Sequence, residues 1–303
     1  VLWEHTTDVR HGGARTLLSA DGVVVATGGS GGATAFDAES GEALWQAPAA
    51  GEGYLPAVAL VPAPQAAVVM LERDGALVSR DLRSGRERWR AQPGGAHRMG
   101  LAAGGGVVAV LVADEGANGP QAGTVAVFDS ADGSPRWERT VPERLGALLA
   151  VEGTVLAHGE IVRYAWDAAT GDQRWRVPRI GPFARLAATA QGPAAVTQDE
   201  IVLFDAVTSY EHRRVAAGNA LPDSVRVEAD RLLLSTRDGH AEVRALDGEV
   251  LRRLPLGGAG GRPAAGAGLL AVPTHIGVSA FGEDGALRWW HLRELPEERA
   301  SGG

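Results

Sequence analysis

The chain repeats itself, and the repeat limits what it can fold into. An aspartate, a glycine four residues on and a tryptophan four residues after that occur as Asp37, Gly41, Trp45; Asp81, Gly85, Trp89; Asp129, Gly133, Trp137; and Asp167, Gly171, Trp175. A further copy keeps Gly285 and Trp289 but has Gly282 where the aspartate belongs. Trp3, Trp45, Trp89, Trp137 and Trp175 are spaced 42, 44, 48 and 38 residues apart, and Trp289 lies 114 residues further on. That gap has room for two more units. Degenerate copies stand in it, at Leu203–Ser209 and Ala245–Leu251.

A period of roughly 40–45 residues holding four short strands is the signature of one β-propeller blade. Each unit reads as an apolar strand, a tight turn, a buried strand, a loop, a third strand, the Asp-x-x-x-Gly turn and an outer strand carrying the tryptophan. The expectation is an all-β, seven-bladed propeller of four-stranded antiparallel blades filling residues 1–303 as one domain. The blades fall at about 15–46, 54–91, 98–140, 144–177, 184–215, 223–255 and 262–293. Residues 1–14 supply a strand that joins the C-terminal strand in one blade to close the ring, and 294–303 form a tail.

The repeated residues have structural work to do. An aspartate opening a turn accepts hydrogen bonds from backbone N–H groups two and three residues on. Glycine supplies a positive φ at little steric cost. A tryptophan buries about 150–250 Å², enough to fill the space between neighbouring sheets. The Asp, Gly and Trp of each unit are therefore read as architecture, not as a row of sites.

Composition excludes several function classes. Net charge is −8, and all 29 basic residues are arginine, as in proteins of arginine-rich, high-GC genomes. An acidic chain offers no basic face for nucleic acid. There is no cysteine, so neither disulfide nor thiol chemistry is available. No run approaches the ~20 apolar residues of a membrane helix. The eight histidines lack close metal-ligand spacing, and neither a nucleophile elbow nor a phosphate-binding loop occurs. No catalytic residue, metal or cofactor is expected.

Ala35-Phe36-Asp37-Ala38-Glu39-Ser40-Gly41-Glu42-Ala43-Leu44-Trp45 resembles the repeat of pyrroloquinoline-quinone-type (PQQ-like) β-propellers. That family includes quinoprotein dehydrogenases, the lipoprotein subunit of the outer-membrane assembly machinery and sensor propellers of bacterial membrane Ser/Thr kinases. The dehydrogenases carry a vicinal cysteine pair and an asparagine among their calcium ligands. This chain has no cysteine, and its only asparagines are Asn118 and Asn219. The resemblance thus implies the non-catalytic bacterial branch: a scaffold for protein–protein interaction, extracytoplasmic or membrane-associated, with a cytoplasmic setting left open. The alternatives are a sensor binding an anionic small molecule and an enzyme with a dispersed site.

Loops alternate between the two faces of such a fold. The loops between second and third strands and between blades are the longer ones, and they include Tyr54-Leu55-Pro56 and an insert at Ala113–Gln121. A protein partner is expected on that face. Arg15, Arg98, Arg144, Arg185 and Arg262 each lie shortly before the first tight turn of their unit. Guanidinium groups suit carboxylate and phosphate. With His97, these arginines are the candidate site for an anion or an acidic peptide. His97, His158, His240 and His275 are read as solvated loop residues on the same face.

Overall fold

The computed structural model describes residues 14–292, apart from 29–31, 48–57, 62, 73, 95–96, 117–118, 182–184, 198, 222–223, 229, 257–259, 262, 267–268, 275–276 and 283. The described residues form seven four-stranded sheets. The first holds β1 (Ala14–Ala20), β2 (Val23–Gly28), β3 (Ala33–Asp37) and β4 (Ala43–Ala47). The second holds β5 (Val58–Val61), β6 (Ala67–Leu71), β7 (Leu77–Asp81) and β8 (Glu87–Ala91). The third holds β9 (His97–Gly104), β10 (Val107–Gly116), β11 (Gly119–Asp129) and β12 (Pro135–Val141). The fourth holds β13 (Leu145–Val151), β14 (Thr154–Gly159), β15 (Val162–Asp167) and β16 (Gln173–Pro178). The fifth holds β17 (Arg185–Thr189), β18 (Gly192–Val196), β19 (Glu200–Phe204) and β20 (Glu211–Ala216). The sixth holds β21 (Arg226–Glu228), β22 (Arg231–Ser235), β23 (His240–Ala245) and β24 (Val250–Pro255). The last holds β25 (Ala264–Gly266), β26 (Leu269–Thr274), β27 (Gly277–Gly282) and β28 (Leu287–Leu292).

Within each sheet the strands lie in chain order, each antiparallel to the next. This is the blade of an all-β propeller. The last sheet draws all four strands from residues 264–292. The expected closing strand, up to residue 13, and the tail at 294–303 lie outside the described residues.

The chain divides into two compact units. The larger runs to Thr197 and includes Ile201–Arg214; the smaller takes Gln198–Glu200 and the chain from Val215. In the larger unit, first strands of successive sheets are neighbours: β1 with β5, β5 with β9, β9 with β13 and β13 with β17. The core lies between sheet faces. Val107, Leu111, Val125 and Trp137 of the third sheet pack with Leu145, Val155, Ala157 and Tyr164 of the fourth. Second strands are covered on both sides, which is why β6 (AVVML) and β14 (TVLAHG) are buried throughout. Outer strands alternate, as in β12, where Trp137 points in and its neighbours point out.

One contact recurs between sheets of the larger unit. The indole N–H of Trp45 donates to the carbonyl of Leu82 at 2.9 Å, Trp89 to Ser130 at 3.0 Å, Trp137 to Ala168 at 3.0 Å and Trp175 to Ala206 at 2.9 Å. The acceptor is each time the residue after the aspartate of the next unit. The indole also lies on the turn glycine of that unit. A methyl group at Gly85 would sit 2.5 Å from Trp45 Cγ, and one at Gly133 2.6 Å from Trp89 Cε3. These glycines need no side chain for two reasons: the ring above them, and φ values of 69° and 75°. Where Ser209 replaces glycine, the turn keeps φ at 65°.

The smaller unit varies this contact. Arg252 stands four residues after Gly248, in the place of the tryptophan. The packing moves two residues along the strand: a methyl group on Gly248 would meet Val215 Cγ1 at 2.7 Å, and one on Gly285 would meet Leu254 Cδ2 at 3.3 Å.

The aspartates hold the turns beneath these indoles. Asp167 Oδ1 accepts from the N–H groups of Ala169 and Thr170 at 2.9 and 3.0 Å, and Asp81 and Asp205 do the same in their turns. The other oxygen meets the arginine just before the tryptophan: Asp81 with Arg88 at 2.5 Å, Asp129 with Arg136 at 2.6 Å and Asp167 with Arg174 at 2.7 Å. That arginine, with the turn amides, holds the Asp81 and Asp129 carboxyls below their ordinary range and brings Asp167 down to about 2.

Trp137→Ala removes a buried ring and its hydrogen bond and is expected to destabilise by about 3–5 kcal/mol in urea unfolding; Trp137→Phe keeps the ring contact and should cost clearly less. Gly133→Ala should cost more than the ~1 kcal/mol at the low end of left-handed backbone strain, because its methyl meets Trp89. The turn carboxylates are more acidic folded than unfolded, so their stabilisation is present above about pH 4 and is lost as pH falls towards 2. The melting midpoint should drop over that window at constant ionic strength, and D81N/D129N/D167N should flatten the drop.

Candidate functional site

Asp-x-x-x-Gly turns and first hairpins share one end of each sheet. Backbone bonds tie them together, from Ala38 to Gly22, Leu82 to Ala66, Ser130 to Gly106 and Ala168 to Gly153. Those residues are committed to architecture. The opposite end, with the loops between second and third strands and between sheets, is where variation is free to carry recognition.

Among the described residues, one feature at that end belongs to the third sheet. The expected insert loop at Ala113–Gln121 is instead a continuation of β10 and β11. Their pairing runs from Val107↔Asp129 outward through Asp114↔Ala122 to Gly116↔Gly119. The described pairing of β9 reaches Ala113, and that of β12 reaches Gly123. Among the described residues, 114–116 and 119–122 thus form a two-stranded ribbon beyond the four-stranded part of the sheet. The run Gly116-Ala117-Asn118-Gly119-Pro120 carries turn residues, which is what made the whole stretch read as a loop.

Beside the fourth sheet, a buried acid clamps a loop. Glu143, 8% exposed, lies on the connection from β12 to β13. Its carboxylate accepts from Tyr164 Oη at 2.6 Å and from the Ile161 N–H at 2.7 Å. Burial first, and the Glu143 carboxylate second, push the Tyr164 hydroxyl up to about 12. Tyr164 in turn stacks on Trp166, with ring centroids 5.4 Å apart. The Ile161 carbonyl accepts from the Arg179 N–H at 3.0 Å. The backbone of Ile161 is therefore held at both ends, yet its side chain is 69% exposed. This exposed apolar side chain on a fixed backbone is a candidate contact that the repeat pattern could not reveal.

The expected arginines do not share one level. Along their second-strand partners, Arg98 is opposite Val112, Arg185 opposite Val196 and Ala14 opposite Gly28. Arg15 sits in the register shift after Ala14, and Arg144 precedes β13. Counted from the hairpins that close these strand pairs, Arg185 is at the fifth pair and Arg98 at the sixth, while Arg15 falls between the fifth and sixth and Arg144 beyond the sixth. Arg144 and Arg185 are exposed and lie at the starts of the neighbouring strands β13 and β17. The side chains of Arg15, His97 and Arg98, and all of Arg262 and His275, lie outside the described residues.

His158 departs from expectation. It lies within β14 and is 4% exposed, not in a solvated loop, because Ala157-His158-Gly159 continues the buried strand. Burial holds its imidazole below the usual range. Arg163, opposite it on β15, is also 4% exposed. Among the described residues no group of three His, Asp or Glu side chains could hold a metal ion, and no helix is long and apolar enough to cross a membrane.

Comparison with known proteins matches this construction. A stretch of 170 residues, 53% of this chain, is 32% identical to the serine/threonine-protein kinase AfsK of Streptomyces griseus, of which it covers 20%. The chain therefore matches about a fifth of that relative's length. BamB from Moraxella catarrhalis superposes with a TM-score of 0.51 at 17% identity, over 85% of this chain and 80% of that one. The computationally designed Ika8 protein gives 0.68 at 16% identity, over 93% and 87%. At these identities the structural likeness is one of fold. The family model described as outer membrane protein assembly factor BamB matches residues 1–116 and 73–221, most of the chain. The chain belongs to that family.

Proposed function

We propose that this chain is a non-catalytic propeller scaffold that binds a protein partner through the face of its second-to-third-strand loops. In this reading the sheets close into one ring of seven over residues 1–303, with the N-terminal strand joining the last blade. The setting is extracytoplasmic or membrane-associated. The family description, an outer-membrane assembly factor, supports an envelope role. The kinase relative supports the same module serving as one region of a larger protein.

The ribbon at 114–122 carries the reading. Among the described residues its strands pair with each other beyond the residues paired with β9 and β12, and a strand edge can accept a further strand from a partner. Ile161 adds a fixed apolar anchor at the same end of its sheet. The Asp and Trp side chains of the first four units, by contrast, are engaged in turns and inter-sheet contacts.

Replacing residues 114–122 by an Asn-Gly turn should leave β-sheet circular dichroism unchanged and shift the melting midpoint little, because among the described residues no other strand pairs with 114–116 or 119–122. A photo-reactive residue at Ile161 should form a discrete protein adduct in cells. One at Tyr210, 72% exposed on an Asp-turn, should not. The ribbon deletion should remove the Ile161 adduct. Equal labelling from both positions, or none from Ile161, would place the partner elsewhere or remove it.

A further inference from the structure

His158 and Arg163 face each other as direct cross-strand partners on β14 and β15, so both project from the same face of the fourth sheet. That face packs against the fifth sheet through Leu156, Ala165, Trp175, Ala195 and Phe204. Two strongly polar side chains thus end in an apolar inter-sheet layer, and each is 4% exposed.

Their polar atoms are only partly used. Arg163 Nε donates to the Pro178 carbonyl at 3.3 Å. Its guanidinium carbon lies 4.7 Å from the Phe204 ring centroid and 5.9 Å from that of Trp175. Nη2 reaches Glu211 Oε1 only at 3.5 Å, and the other oxygen of Glu211 is held by Arg214 at 2.6 Å. Arg163 Nη1 and His158 Nε2 are buried and have no partner among the protein atoms.

A buried guanidinium with a distant, shared counter-ion carries a large desolvation cost. The charges around it make this worse. Arg179 and Arg163 both act on His158, Arg214 acts on Arg163, and Glu211 is the acid that offsets them. A bridging water would satisfy hydrogen bonds but would leave the positive excess. A small anion would do both.

We propose that His158 and Arg163 form a buried binding site for a small monovalent anion between the fourth and fifth sheets. Arg163 Nη1 and His158 Nε2 donate to it, and the Phe204 and Trp175 rings wall it off from solvent. The ligand is taken as a halide or a formate-sized carboxylate, because one donor on each of the two side chains is left unpartnered. Burial keeps the unliganded imidazole neutral, while the backbone carbonyls of Ile180 and Gly159 favour its protonated form. A bound anion adds to that preference, so affinity rises as pH falls from 8 towards 6.

The test is thermal unfolding of the full chain in sodium bromide against sodium gluconate at equal ionic strength. At a tenfold excess over its dissociation constant, bromide should raise the midpoint by roughly 3 °C, and more at pH 6 than at pH 8. Arg163→Met should abolish the bromide-specific rise. His158→Gln should keep the rise at pH 8 and lose its increase at pH 6. Formate run in parallel separates the two sources: a matching rise means that carboxylates are taken, and no rise means that the site is for halide. Should Arg163→Met fail to fold, anomalous scattering from crystals grown in bromide decides. A bromide peak within hydrogen-bonding reach of both side chains supports the site. Water density there without bromide, or a bromide shift that survives in Arg163→Met, overturns it.

Discussion

An indole N–H bonded to a backbone carbonyl of the next sheet holds the larger unit of this protein together. Four-stranded sheets that meet face to face through valine, alanine and leucine have little to set their spacing or tilt, because apolar packing is non-directional. The hydrogen bond from Trp45, Trp89, Trp137 or Trp175 supplies the direction. It also explains why three residue types recur together. The tryptophan needs a carbonyl at a defined place, the aspartate builds the turn that presents it, and the glycine leaves room for the ring. A change in any one of them disturbs the other two.

The degenerate units show how far this arrangement can bend. In the turn after β19, Ser209 holds the glycine conformation with a side chain, and Trp175 still bonds to Ala206. In the smaller unit, Val215 and Leu254 replace the rings two residues further along their strands. Residues two apart on a strand share a face, so an aliphatic side chain there reaches the same turn glycine. Apolar contact survives the substitution, and the directional bond does not. The tryptophan spacing therefore skips these units even though their sheets are complete.

The proposed recognition face is separated from this machinery by strand direction. Turns that carry the repeat lie at one end of each sheet, and the other end is released from it. There the third sheet extends into a ribbon, and the fourth holds Ile161 out through Glu143 and Tyr164. A buried carboxylate bonded to a tyrosine and a backbone amide is a rigid anchor, since each lost bond would strand a polar group away from water. The histidine and arginine buried between the fourth and fifth sheets are the last pair of β14 and β15 before the loop that holds Ile161. They are placed by cross-strand pairing in an otherwise apolar layer.

Sequence alone determined the repeat unit, its four-strand content and the structural role of Asp37, Gly41, Trp45 and their counterparts, because these depend on local turn geometry and on strict spacing. It could not place the arginines relative to one another. Register shifts between Ala14 and Thr16, Leu111 and Val112, and Leu145 and Ala147 move each strand by a residue, and such bulges have no fixed residue signature. Nor could it show that Ala113–Gln121 pairs with itself, that His158 is buried or that Ile161 is held in solvent. Those outcomes rest on contacts between strands and sheets far apart in the chain, and only the folded arrangement decides them.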